Sequence, residues 1–146
     1  MKKITVFLII IFLLVNIPAA CSQEEVEREK VYVKLTFDSN RDDIGLKNQV
    51  KSYVKRGLRQ LGDIVFTDEE YKFELSFFVF EPKTVEGERT DMVIVSVIVT
   101  RPLPDGRPLY VGDTFKASSR SGLPKLCDML VTQIDSELIR KERKID

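Results

Sequence analysis

The stretch VYVKLTF (31–37), DSNRDD (38–43) and IGLKNQVKSYVKRGLRQLG (44–62) sets the fold class. Val31, Val33, Leu35 and Phe37 alternate with Tyr32, Lys34 and Thr36, the period of a half-buried strand. Asp38 to Asp43 is a polar loop rich in helix-capping residues. Leu46, Val50, Tyr53, Val54, Gly57, Leu58 and Leu61 then recur at helical spacing, and Gly62 supplies the stop. The chain therefore opens its structured part as strand, then helix.

Downstream, the pattern changes period. A short strand over Asp63–Thr67 leads through Asp68-Glu69-Glu70 to a longer one over Tyr71–Phe80. Tyr71, Phe73, Leu75, Phe77 and Val79 share one face of it. Its other face opens with Lys72, Glu74 and Ser76 and turns apolar at Phe78 and Phe80. A charged connection over Pro82–Thr90 follows, then a strand over Asp91–Thr100. There Val93, Val95, Val97 and Val99 are opposed by Met92, Ile94, Ser96 and Ile98, so a central strand covered on both faces is expected. Pro102, Pro104 and Asp105-Gly106 mark a turn before a last strand over Leu109–Lys116, weakened by Gly112. After a link over Ser118–Gly122, Pro124 suits a first helical turn. Leu123, Leu126, Cys127, Leu130, Val131, Ile134, Leu138 and Ile139 then form one apolar stripe. The order β-α-β-β-β-β-α predicts an α+β domain over residues 31–146: a mostly antiparallel four- to five-stranded sheet with two helices on one face.

The amino-terminal residues carry an address. Lys2 and Lys3 precede an apolar run from Ile4 to Val15, closed by Asn16, Pro18 and small residues, the layout of a bacterial export signal over residues 1–21. The run is shorter than the roughly 20 residues of a membrane-crossing helix, and Pro18 disfavours an uncleaved anchor. Ile17-Pro18-Ala19-Ala20-Cys21 resembles the lipobox of bacterial lipoproteins, in which the cysteine becomes the lipidated first residue. Pro18 stands where leucine is usual. The rival cut after Ser22 uses Ala20 and Ser22 as its small residues. The short signal and its terminal cysteine favour lipidation at Cys21. Residues 22–30 (SQEEVEREK) then form a polar tether with an extended reach of about 30 Å. The expected location is the periplasmic face of a bacterial membrane, the outer membrane foremost, or the soluble periplasm if Cys21 is not acylated.

The inventory narrows the chemistry. The chain has 23 basic and 23 acidic residues, and removal of residues 1–21 takes away two lysines for a mature charge of −2. Near-neutrality without a long basic block speaks against nucleic acid. There is no histidine, and only Cys127 remains with certainty after processing, so no disulfide framework is expected. Cys127 falls on an apolar stripe and reads as a small core residue. No nucleophile–base pair or phosphate loop is present, so neither catalysis nor a cofactor is expected. Asp38-Ser39-Asn40-Arg41-Asp42 has the opening of a calcium loop, but Asp43 and Gln49 replace its glycine and closing glutamate. Helix capping accounts for Asn40, Asp42 and Asp43 without a metal.

Two surface features remain. Lys47, Lys51, Lys55 and Arg59 recur every four residues with Arg56 beside them, expected on the helix face opposite the apolar stripe. They are either an ordinary solvated face or a contact for an anionic surface. Phe78 and Phe80 are either core or edge packing or the lining of an apolar groove.

Phe37-Asp38-Ser39-Asn40, the Gly45-Leu46 helix start, Leu58-Arg59-Gln60-Leu61-Gly62-Asp63, Ile64-Val65-Phe66 and Phe73-Glu74-Leu75-Ser76 together resemble a loose group of bacterial envelope lipoproteins. The group includes the curli-secretion, flagellar-accessory and lipopolysaccharide-assembly lipoproteins and the amino-terminal domain of the Tol-system propeller protein. The resemblance spans residues 31–80 and, more loosely, the terminal helix. It implies a non-enzymatic role in building or stabilising an envelope protein complex, and no functional residue carries over. The expected function is an interaction or assembly module at the cell envelope. The alternative is a periplasmic binding protein taking a lipid or small ligand on the uncovered sheet face.

Overall fold

The computed structural model describes residues 29–40 and 43–143. The export signal, Cys21 and most of the tether lie outside the described residues. The elements are β1 (Val31–Ser39), α1 (Ile44–Gln60), β2 (Ile64–Phe66), β3 (Phe73–Phe80), β4 (Met92–Pro102) and β5 (Pro108–Ser119). A 3-10 turn (Arg120–Gly122) then leads into α2 (Leu123–Gln133), a π-helical segment (Ile134–Ile139) and the short α3 (Arg140–Arg143). The protein is α+β, with a five-stranded sheet in the order β2-β1-β3-β4-β5 and its helices on one face.

β1 runs parallel to both of its neighbours, whereas β3–β4 and the eleven-pair β4–β5 ladder are antiparallel. The parallel pairing of β1 with β2 follows from the helix between them, since a crossover returns the chain in the same direction. The chain then passes from one side of β1 to the other between Phe66 and Phe73. Thr67 N–H donates to Val33 C=O (3.1 Å) and Lys72 N–H to Tyr32 C=O (2.9 Å). Tyr71 thus precedes β3 instead of opening it.

One face of the sheet carries the core. Val31 and Val33 of β1, Phe73, Leu75, Phe77 and Val79 of β3, and Val93, Val95, Val97 and Val99 of β4 are buried. They meet Leu46, Val50, Val54 and Leu58 of α1 and Leu123, Leu126, Cys127, Leu130 and Val131 of α2. The second face of β4 is not covered as its sequence predicted: Met92 and Ile98 are exposed. Apolar residues on both sides of a strand predict two covered faces, but both helices go to the same side.

Three close fits complete the packing. Gly57 lets α1 approach α2, since a Cβ there would lie 3.1 Å from Val131 Cγ2. Gly112 of β5 similarly sits under Leu138, whose Cδ2 would be 2.6 Å from an added Cβ. Gly112 marks a close approach and not only a weak strand position. The final helix is interrupted where a continuous one was expected. Its π turn holds both Ile134 and Ile139 in the core, although five residues of regular α-helix would turn the second well away from the first. The same widening lets Arg140 Nη2 reach Asp135 Oδ2 at 3.1 Å. Gly62, at φ +82°, ends α1 in a conformation that side-chain-bearing residues rarely adopt.

The helix–helix approach gives a direct expectation. Gly57→Leu overfills the α1–α2 contact and lowers unfolding free energy by about 1–3 kcal/mol, measured as a lower urea midpoint at unchanged slope.

Candidate functional site

The side of the sheet away from the helices is built by the alternate residues of four strands. Cross-strand register aligns Asp38, Phe78, Ser96 and Phe115 in one row, and Thr36, Ser76, Ile98 and Asp113 in the next. Phe80, Ile94 and Ala117 form a further row, with Met92 at the strand end. Phe115 is 68 % exposed and Ile98 47 %. Phe78 and Phe80 lie on this open face, not in the core, with ring centroids 5.7 Å apart. The face is graded. Toward β1 it is polar: Lys34 Nζ pairs with Glu74 Oε1 (3.3 Å) and Thr36 Oγ1 donates to Ser76 Oγ (2.9 Å). Toward β4 and β5 it is more apolar, with Ile94, Ile98 and Phe115 set among Ser96 and Asp113. A shallow depression of about 280 Å³ lies between the two regions, touching Thr36, Asp38, Phe78, Ser96 and Ile98. Aromatic side chains present about 150–250 Å² each when free, so this half-exposed patch is on the order of 500 Å². Phe78 and Phe80 were singled out from sequence. Ile94, Ile98, Met92 and Phe115 were not, although the apolar second face of β4 was the available signal.

The cationic residues of α1 take a different position from the expected one. Lys47, Lys51, Lys55 and Arg59 each follow a buried residue (Leu46, Val50, Val54, Leu58). One residue turns a helix by about 100°, so the row runs along the flank of the buried stripe and not opposite it. Their charged heads lie over half-buried rings at the β1–β2 margin. Lys51 Nζ lies 6.0 Å from the Phe37 ring centroid, Lys55 Nζ 5.7 Å from that of Phe66, and the Arg59 guanidinium carbon 5.5 Å from that of Phe66. Arg56 lies over Tyr53 at 5.4 Å. None of the five has a carboxylate within salt-bridge distance among the described residues.

A buried ion network joins three connections at the end of the sheet. Glu81, which closes β3, is buried, and Arg120 grips both its oxygens at 2.8 Å. Arg89 Nη1 reaches Glu81 Oε2 at 3.4 Å and Asp43 Oδ1 at 4.0 Å. Asp43 Oδ2 accepts from the Glu81 N–H (3.2 Å). Asp43 occupies the N-cap position of α1 but makes no side-chain capping bond. Its carboxylate is turned to the β3 end instead, a correction to the capping role expected from sequence. Asp42 lies outside the described residues. A depression of about 390 Å³ beside the network touches Asn40, Asp43, Phe80, Glu81, Pro82 and Lys83. Both of its carboxylates are engaged by arginine or backbone, so the network acts as a clasp.

The remaining reactive group is enclosed. Cys127 is fully buried, and burial pushes its thiol up to about 12. A protonated, inaccessible thiol is no nucleophile. No group of metal-ligating side chains occurs among the described residues, and no helix among them is long and apolar enough to cross a membrane.

No family model matches the chain, and no curated protein matches it. The solved structures similar in chain path include three with the following likeness. Two are PelC dodecamers from Paraburkholderia phytofirmans: one, a variant, is 17 % identical with a TM-score of 0.48, covering 75 % of this chain and 86 % of that one. The other is 20 % identical with a TM-score of 0.44, covering 75 % and 88 %. The third, a hypothetical protein from Chlamydia trachomatis, is 11 % identical with a TM-score of 0.44, covering 63 % and 72 %. At these scores the likenesses bear on neither ligand nor partner.

The clasp yields a pH dependence. The hydrogen bond from Arg120 holds the Glu81 carboxyl below its ordinary value of 4.5, against the opposing effect of burial. A carboxylate lowered on folding adds stability above its unfolded value and loses it as pH falls. Unfolding free energy therefore declines below about pH 4.5. Glu81→Gln lowers stability near neutrality, since Arg120 loses its charged partner, and flattens the acid decline. Thermal melts of both proteins between about pH 3 and 7 check this.

Proposed function

We propose that the protein is an exported, non-enzymatic interaction module of the bacterial cell envelope, held to a membrane through Cys21, which docks a protein partner on its open sheet face. The observation that carries this reading is the uncovered apolar half of the sheet. Apolar side chains exposed together on one sheet face and rimmed by polar residues suit an interaction site. Its flatness and its polar margin along β1 suit a protein surface with an apolar centre and a wet rim. The signal-like residues 1–21 and the resemblance of residues 31–80 to envelope lipoproteins support the location. The absence of histidine and the enclosed thiol support a binding role over a catalytic one.

The shallow depression by Phe78 and Ile98 favours a second reading, in which the same face takes a lipid or small ligand. An enclosed site normally buries most of such a ligand, which an open sheet does not, so the protein partner is preferred.

Two measurements test the proposal. The intact mass of protein extracted from membranes should show an acylated amino terminus at Cys21, and an unmodified terminus at Gln23 removes the anchor. Ile98→Ser with Phe115→Ser should abolish cross-linking to an envelope partner at an unchanged melting temperature. Undiminished cross-linking, or a co-purifying lipid with no protein partner, defeats the docking role.

A further inference from the structure

We infer that the cationic flank of α1 is a second, electrostatic contact that seats the domain on an anionic lipid surface. The inference rests on the envelope reading for where that membrane is, but not for whether the flank binds one.

The first argument is charge distribution. α1 has five basic residues and no acid, and they lack carboxylate partners among the described residues. The rest of the chain after residue 21 has 16 basic residues against 23 acids. The near-zero total therefore conceals a positive strip on an otherwise negative domain. Such a domain is oriented by an anionic plane, because the strip is attracted while the remainder is repelled.

The second argument is shape. From Lys47 to Arg59 the row extends for about 18 Å along one helix. A helix flank is convex and offers no walls to grip a soluble anion, whereas an extended surface meets all of its charges at once. The heads of Lys51, Lys55 and Arg59 also lie over Phe37 and Phe66, which are partly buried and packed against the core. Cation–π contact of this kind keeps the charges along one line of the flank.

The third argument is the point where the chain enters the domain. Val31 N–H donates to Asp63 C=O at 2.8 Å, and Val31 pairs with Ile64. β1 thus begins beside the short link that follows the carboxy-terminal end of α1, the end where Arg59 closes the cationic row. Residues 22–30 join the domain at that end of the row and span at most about 30 Å. A chain attached to the membrane at residue 21 holds this flank near the headgroups.

The test uses the polypeptide from Ser22 to Asp146. Its core is complete between Val31 and Ile139, so it folds without the leader, and it lacks any lipid. Flotation compares vesicles containing phosphatidylglycerol with vesicles of phosphatidylcholine alone. The protein should bind the anionic vesicles, release as salt is raised, and leave the neutral ones unbound. Lys51→Glu, Lys55→Glu and Arg59→Glu together should weaken binding by about a hundredfold or more. Replacement of the same three by Gln should give a smaller loss. Lys125→Glu, an exposed cation on α2, should change nothing. Melting temperatures confirm that each variant is folded. Equal binding to both vesicle types, or full binding by the triple Glu variant, overturns the inference. So does capture by soluble polyphosphate without vesicle binding. These outcomes are read without Cys21 and at the helix side of the domain, so they stand apart from failure of the anchor or of the sheet-face partner.

Discussion

Packing both long helices against a single side of the sheet is the constraint from which the remaining architecture follows. Phe73, Leu75, Phe77 and Val79 of β3 and the valines of β4 form a continuous buried floor, and each helix must reach it along its whole length. That is possible only if the helices lie close together, which Gly57 permits by letting Val131 into contact with the α1 backbone. Deleting apolar atoms from such a floor loses transfer energy and leaves a cavity, so the floor is where stability is concentrated. The opposite side of the same strands then has no layer of its own. Its apolar residues are exposed by the same choice that buries the valines.

The ends of the layers are held by polar contacts of another kind. Glu81 is buried at the end of β3, where an uncompensated carboxylate would be strongly unfavourable. Arg120 and Arg89 satisfy it, and with the bond from the Glu81 N–H to Asp43 they join the β1–α1 loop, the β3–β4 connection and the turn before α2. A buried charge with well-oriented partners adds little net energy but tolerates few alternatives. Here it fixes how the loops close over the end of the core, and so fixes the edge of the open face at Phe80.

The legible part of this fold is the part written in short periods. Alternation from Val31 to Phe37, and of the four valines of β4, identifies strands from neighbours two residues apart. Leu46, Val50, Val54 and Leu58 identify α1 in the same local way. Pairing direction is not local: β2 is three residues long, too short to reveal its parallel partnership with β1. The contact of Glu81 with Arg120 spans 39 positions and left no spacing to recognise. The π turn at Ile134 is likewise set by what Ile139 must reach. The place of the cations is readable too, since Lys51 follows Val50 and Lys55 follows Val54, and a step of about 100° puts them on the flank of the buried stripe. The two exposed aromatics at Phe78 and Phe80 were visible as an anomaly. Their neighbours Ile98 and Phe115 became part of the same surface only through the register of β4 and β5.

The two surfaces proposed to make contacts do not compete for space. The open face lies on the side of the sheet away from the helices, while the cations overhang the β2 margin on the helix side. Their separation follows from the backbone: Phe66 and Phe37 point toward the helices, whereas Phe78, Ile98 and Phe115 point the other way, because successive strand residues alternate between faces. A domain seated by α1 on a lipid surface keeps its apolar sheet face clear of the headgroups. The negative remainder of the chain strengthens that arrangement, since tilting the open face toward an anionic plane would bring Asp38 and Asp113 against it. One interaction orients the domain and the other is left available.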